Sequence, residues 1–152
     1  MNHWLLKSEP DSFGIDALAR APRKTTAWDG VRNYQARNML RDRMNKGDQA
    51  FFYHSSCDVP GVAGIVEVVR GGYPDVTAFD PKHHHYDPDS DRDAPTWYVI
   101  DVRLVRKLER VITLDELRAE RSLAQMQLLK RGNRLSVMPV SAREWQAVLD
   151  LE

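Results

Sequence analysis

Apolar and polar positions divide the chain into short, strongly patterned segments. Trp4-Leu5-Leu6 is an apolar run that stops at Ser8-Glu9-Pro10, which predicts a strand over Trp4–Lys7, because proline ends ladder pairing. A short helix is expected from Ile15 to Ala19, before Pro22 and the basic loop Arg23-Lys24. After Asp29-Gly30, a strong turn signal, Ala36, Met39, Leu40 and Met44 recur at helical spacing. A helix burying that stripe should end near Met44, with Asn45-Lys46-Gly47-Asp48 as the next turn. Ala50–His54 and Val62–Val69 read as strands, the first apolar on both faces and the second ended by Gly71-Gly72. Trp97 to Leu108 alternates, with Tyr98, Ile100, Val102 and Leu104 on one face and Asp101 and Arg103 on the other, as in a half-buried strand.

Three capping-box patterns follow: Thr113 with Glu116, Ser122 with Gln125, and Ser141 with Glu144. They predict helices over Leu114–Glu120, Leu123–Lys130 and Ala142–Leu149, with Gly132 as a stop and Leu135–Val140 as the last strand. Phe51 and Trp145, with Val148 and Leu149 at helical spacing, belong to the core. Residues 74–95 break the rhythm with four prolines and many aspartates, as in a functional or covering loop. Strands outnumber long helices and no βαβ rhythm is present. The pattern points to one mixed α+β domain over residues 1–152, a curved, barrel-like sheet with peripheral short helices.

Charge changes the picture of the partner. Lys plus Arg and Asp plus Glu balance at 22 each, so the formal net charge is zero. That weighs against avid, sequence-independent binding of duplex, which needs a basic footprint, and leaves room for a local basic patch. Residues 75–93 are aspartate-rich, whereas residues 103–134 carry many arginines and lysines. The single cysteine, Cys57, excludes an internal disulfide and a cysteine-based zinc site. No apolar run approaches the ~20 residues of a membrane helix, and the start is too polar for a signal peptide. A cytoplasmic monomer with no membrane association is expected.

The segment Trp28-Asp29-Gly30-Val31-Arg32-Asn33-Tyr34-Gln35-Ala36-Arg37-Asn38 carries the most chemistry. Trp28 offers a stacking face. Arg32, Asn33, Tyr34 and Gln35 are expected at the first turn of the following helix, where backbone N–H groups favour anions. Stacking beside amide and guanidinium donors suits a planar, hydrogen-bonding ligand on a phosphate backbone. The plainer reading makes Trp28 and Tyr34 core aromatics and the arginines a solvated face. Walls for a base pocket could come from Trp28, Tyr34, Phe51, Tyr53 and Trp97, and polar contacts from Lys7, Ser8, Asn33, His54, Ser55 and Ser136.

That segment, with Trp4-Leu-Leu-Lys-Ser-Glu-Pro10, Gly61-Val-Ala-Gly-Ile-Val-Glu67, Trp97-Tyr-Val-Ile-Asp-Val-Arg103 and Arg134-Leu-Ser-Val-Met-Pro-Val140, closely resembles the EVE domain family. The resemblance covers essentially the whole chain. It implies a PUA-like pseudobarrel, related to the YTH readers of methylated adenine in RNA and the SRA readers of modified cytosine in DNA. It further implies a non-catalytic reader of nucleic acid carrying a modified or flipped-out base. On that resemblance Lys7-Ser8 closes the first strand beside the pocket and Trp28 is its aromatic wall. Asn33 and Tyr34 reach in from the helix, and Tyr53-His54-Ser55 from the next strand end; Arg32, Trp97 and Ser136 complete the set. Alternatives from other classes are a nucleoside or small-molecule binding module, or a protein-interaction domain, using the same pocket.

His83-His84-His85, flanked by Asp80, Asp87, Asp89 and Asp91, invites a metal reading. Consecutive histidines in a proline-rich loop cannot share one centre without a fixed scaffold, so neither a metal nor another cofactor is expected. Catalysis has little support: no G-x-S-x-G, P-loop, Rossmann or HExxH motif is present. Cys57 with His54, and Glu9 with Asp29, are the remaining candidate pairs for nucleophilic or acid–base work, and no enzyme is expected.

Overall fold

The computed structural model describes residues Met1–Glu152. Six strands form one open, curved, mixed sheet: β1 (His3–Ser8), β2 (Thr25–Ala27), β3 (Gln49–His54), β4 (Gly61–Pro74), β5 (Tyr98–Thr113) and β6 (Val137–Val140), in the order β2-β5-β4-β3-β1-β6. Only β1 and β3 run parallel, with Leu5 opposite Phe51 and Lys7 opposite Tyr53. Five short helices surround it: α1 (Pro10–Phe13), α2 (Ile15–Arg20), α3 (Tyr34–Asn38), α4 (Leu114–Ala119) and α5 (Ala142–Leu149). The fold is the expected α+β class with a curved sheet and peripheral helices. No helix is long and apolar enough to cross a membrane.

The core is one contiguous cluster of 34 buried residues. Phe51 and Phe52 on β3 are both fully buried, because β3 lies inside the sheet and both its faces are covered. Phe51 stacks on Trp145 of α5 at 3.9 Å, as the helical spacing of α5 requires. The predicted stripe Ala36, Met39, Leu40 and Met44 is buried, but the helix that carries it changes character. It is α-helical only to Asn38 and continues as a π-helical turn over Met39–Arg43.

Three expectations need correction, and one strand was not anticipated. Gly71-Gly72 does not end β4, which runs on to Pro74 through register shifts that bend it. A Cβ at Gly72 would lie 2.6 Å from the Leu40 carbonyl, so glycine there admits the π-turn against the sheet. The Ser122 capping box does not form. Glu120 caps that segment instead, and two 3₁₀ turns, Arg121–Leu123 and Gln127–Leu129, replace the helix. Strand β2, too short for a periodic signal, follows the basic loop and pairs with β5. Finally, helix α3 starts at Tyr34, so Arg32 and Asn33 precede it rather than forming its first turn. The Thr113 and Ser141 capping boxes form as expected.

The loop between β4 and β5 explains its own composition. Asp75, Asp80, Asp87 and Asp91 each accept the amide of the residue two positions on, at 2.9–3.0 Å. These are Asx turns, so the aspartates shape the backbone. Trp97 Nε1 donates to Asp87 at 2.6 Å and Arg37 to the Thr96 carbonyl at 2.7 Å, which fastens the loop to the body.

Candidate nucleic-acid interface

The C-terminal end of β1 opens into a cleft. An inner part of about 270 Å³ is lined by Lys7, Ser8, Phe13, Ala27, Trp28 and Asp29. It shares Lys7, Ser8, Phe13 and Asp29 with an outer part of about 740 Å³ that reaches Glu9, Ser12 and the three histidines. The outer part lies within the ~300–1,000 Å³ of ordinary ligand pockets, and the inner part is slightly smaller. The lining is polar apart from Phe13, Ala27 and Trp28.

Each wall has a local cause. Trp28 is 7% exposed, its ring edge-on to Phe52 at 5.4 Å and its amide bonded to the Ile100 carbonyl. The indole is therefore both core and wall, with one remnant of surface turned to the cleft. Ser8 Oγ donates to the Phe13 carbonyl at 2.6 Å, which holds α1 beside the strand end. Lys7 finds no acidic partner, and burial alone lowers its pKa. A half-buried ammonium without a counter-ion is a ready partner for an anion.

The far wall is a clamp. Asp75 is 1% exposed and accepts from the Gly30 amide, from Arg32 at 3.0 Å, and from the Thr77 amide and hydroxyl. Burial alone would push its pKa up. The Thr77 hydroxyl, Gly30 amide and Arg32 outweigh that and hold the carboxyl below its ordinary range. Arg32 also donates to the His85 carbonyl at 2.7 Å and lies over the Trp97 ring. The His85 ring rests on Gly30, where an added Cβ would lie 2.4 Å from it and φ is +75°. Gly30 is thus needed twice, for the turn and for the contact. His85 Nδ1 is buried without a hydrogen bond, 3.8 Å from Asp29.

Of the residues expected at the pocket, Lys7, Ser8 and Trp28 meet in the cleft. The others have different placements. Arg32 is spent on the clamp. Asn33 caps α3 by accepting from the Ala36 amide, and it faces a neighbouring groove. Tyr34 and Trp97 stack on each other at 5.0 Å, away from the cleft; Tyr34 is 62% exposed and Trp97 is buried. Tyr53 is buried. Ser55 and Ser136 meet β1 through backbone bonds, Ser55 N–H to the Ser8 carbonyl and Lys7 N–H to the Ser136 carbonyl. Phe13 and Ser12 on α1 were missed, since a four-residue helix leaves no periodic signal. The histidine loop reaches the cleft by folding back over Gly30, which only the tertiary structure reveals.

His54 Nε2 accepts the Ile15 amide at 3.1 Å, so the neutral ring fits and the nitrogen is unavailable to Cys57. Burial holds its pKa below the ordinary 6.5, with Lys107 adding to the effect against Asp16. The unfolded chain therefore takes up the proton first, and stability contributed by neutral His54 is lost as pH falls below about 6.5. In urea unfolding, His54→Gln is expected to show a smaller drop between pH 7.5 and 5.5 than the wild type. His3 and His85, also lowered by burial, leave a residual drop in both. An equal drop in both proteins would contradict this account.

The histidine nitrogens come within 4.8 Å of one another, closer than consecutive positions in a loop led us to expect. His83 Nδ1, however, accepts the His85 amide at 3.0 Å, which leaves its proton on Nε2. A shared metal would have to displace that proton, and the flanking aspartates serve turns. Chelator treatment is expected to leave Tm unchanged. A fall reversed by one specific metal would contradict this.

Together these features define an α+β protein with a polar, ligand-sized cleft at the end of its first strand. The EVE domain model matches residues 2–151, and the chain belongs to the EVE domain family. It is similar to thymocyte nuclear protein 1 of Homo sapiens, 45% identical over 168 residues, covering 99% of this chain and 74% of that protein. Among solved structures it resembles human THYN1 protein in complex with 5-methylcytosine-containing DNA, with TM-score 0.95 and 45% identity, over 99% of this chain and 97% of that one. A Pseudomonas putida protein matches with TM-score 0.94 and 48% identity over 98% of both chains.

Proposed function

We propose that this protein is a non-catalytic reader of DNA carrying a modified base, with the base seated in the cleft between Lys7-Ser8 and Trp28-Asp29. One observation carries the reading. The chain superposes at TM-score 0.95 on a protein solved with 5-methylcytosine-containing DNA, and its own cleft offers an indole surface beside an unpaired ammonium. Methylcytosine is accordingly the first base to test. The physical division of labour is simple. The Trp28 surface and Phe13 provide apolar contact, Ser8 and Asp29 provide hydrogen-bonding groups for a base edge, and Lys7 neutralises a phosphate. Specificity then rests on the edge contacts and on the shape of the recess, since aromatic contact alone tolerates every base. A cytoplasmic location, a monomeric state and the lack of chemistry are parts of the same proposal; the occupied His54 nitrogen supports the last of these.

The test is a titration of a short duplex bearing one 5-methylcytosine into wild type and Lys7→Gln. Loss of one charged contact is expected to weaken binding about tenfold or more. Equal affinity of the two proteins would remove the cleft from the interface.

A further inference from the structure

The balanced net charge conceals one groove in which the balance fails. Beside the cleft lies an open trough of about 400 Å³ whose lining includes Lys130, Arg131 and Arg134, the amide side chains of Gln35 and Gln127, and no carboxylate. The other clefts and grooves that contain a cation also contain a carboxylate. Arg32, Arg41, Arg103, Arg106, Lys107 and Arg110 each pair with an acidic group. The three groove cations have no such partner, although five residues of chain hold them together around Gly132, whose φ of +78° makes the turn. Like charges gathered without counter-ions repel one another, and an anion relieves the repulsion.

The trough and the cleft share their framework. The Lys7 amide donates to the Ser136 carbonyl, so the segment that carries Arg134 and Leu135 runs beside the strand end that carries Lys7 and Ser8. On the other wall, Asn33 and Gln35 follow Asp29-Gly30 by only a few residues. A strand with one base in the cleft would leave its neighbouring phosphates at this trough. Cations strung along an open trough, with amide donors between them, match a run of phosphates better than one compact anion.

We propose that this groove binds successive backbone phosphates of the DNA strand whose modified base occupies the cleft, an inference that rests on the reader function above. It makes the groove the source of salt-dependent affinity and the cleft the source of base preference.

The experiment measures affinity for duplexes with one 5-methylcytosine or one cytosine across a salt series. The proteins are wild type, the triple variant Lys130→Gln/Arg131→Gln/Arg134→Gln, and the control Lys46→Gln/Arg143→Gln, whose charges lie toward the opposite end of β1. Each lost phosphate contact removes about 0.9 from the slope of log affinity against log salt, so the triple variant should be shallower by about two to three. Its ratio of modified to parent affinity should stay within about twofold of wild type, and the control should match wild type in slope. Arg134→Gln alone, exposed and without a side-chain bond, repeats the test with a change of about one should the triple variant fold poorly. A wild type that prefers the modified base while the variants keep its slope would overturn the groove and leave the reader standing. A wild type with no preference and no measurable binding would overturn both. Displacement of the duplex by inorganic phosphate at concentrations that leave ionic strength unchanged would mark a single-anion site and also overturn the proposal.

Discussion

Trp28→Ala is expected to destabilise the fold by about 3–5 kcal/mol, the usual cost of truncating a large buried aromatic. The indole is 7% exposed, packs edge-on against the fully buried Phe52, and starts the segment that carries Gly30 and Arg32. Read from sequence alone, the same residue is either a core aromatic or, on the family resemblance, a pocket wall. Its burial makes it a core residue with one functional edge. Urea unfolding of Trp28→Ala measures the cost, and a change below about 1 kcal/mol would contradict the core assignment. Trp28→Phe, which keeps most of the packing, is the variant for asking about binding. It should lose affinity for the modified duplex by more than it loses stability.

Arg32→Ala should be nearly as damaging, at about 3 kcal/mol. Removing one partner of a buried ion pair typically costs about 3–5 kcal/mol. The lower end applies because Asp75 keeps the Gly30 and Thr77 donors and Arg32 is itself a quarter exposed. The same change removes the bond to the His85 carbonyl, so the histidine loop loses its fastening to the cleft. Two readouts follow: a lowered urea midpoint, and faster amide exchange confined to the loop between β4 and β5. A double-mutant cycle with Asp75→Ala separates the pair from its surroundings. Additive losses would show that Arg32 and Asp75 act independently, against the clamp described here.

Much of this was legible along the chain, for physical reasons that differ by element. Strand β3 declared itself because Ala50-Phe51-Phe52-Tyr53 has no face that tolerates water. The Thr113 and Ser141 boxes were readable because a capping box is a local reciprocal bond that needs no tertiary help. Ser122 with Gln125 has the same letters, but Glu120 reaches the Ser122 amide first, and local competition of that kind is invisible to a spacing rule. In the cleft, Lys7, Ser8 and Trp28 were identified through their motifs. Arg32 looked equally eligible, because a sequence does not disclose that Asp75, 43 residues away, has claimed it. Tyr34 and Trp97 were both read as walls; they stack on each other outside the cleft lining, with Tyr34 largely exposed. The three histidines pointed to metal by composition, whereas their place at the cleft mouth follows from the ring of His85 lying on Gly30.

The claim on which the rest depends is preference for a modified base, and matched duplexes measure it most directly. Two oligonucleotides that differ by one methyl group on one cytosine are titrated into the wild-type protein at one fixed salt concentration. A methyl group filling an apolar recess contributes about 1–3 kcal/mol, so the modified duplex should bind roughly ten- to two-hundred-fold more tightly. Equal affinity for the methylated duplex and its parent would contradict the account.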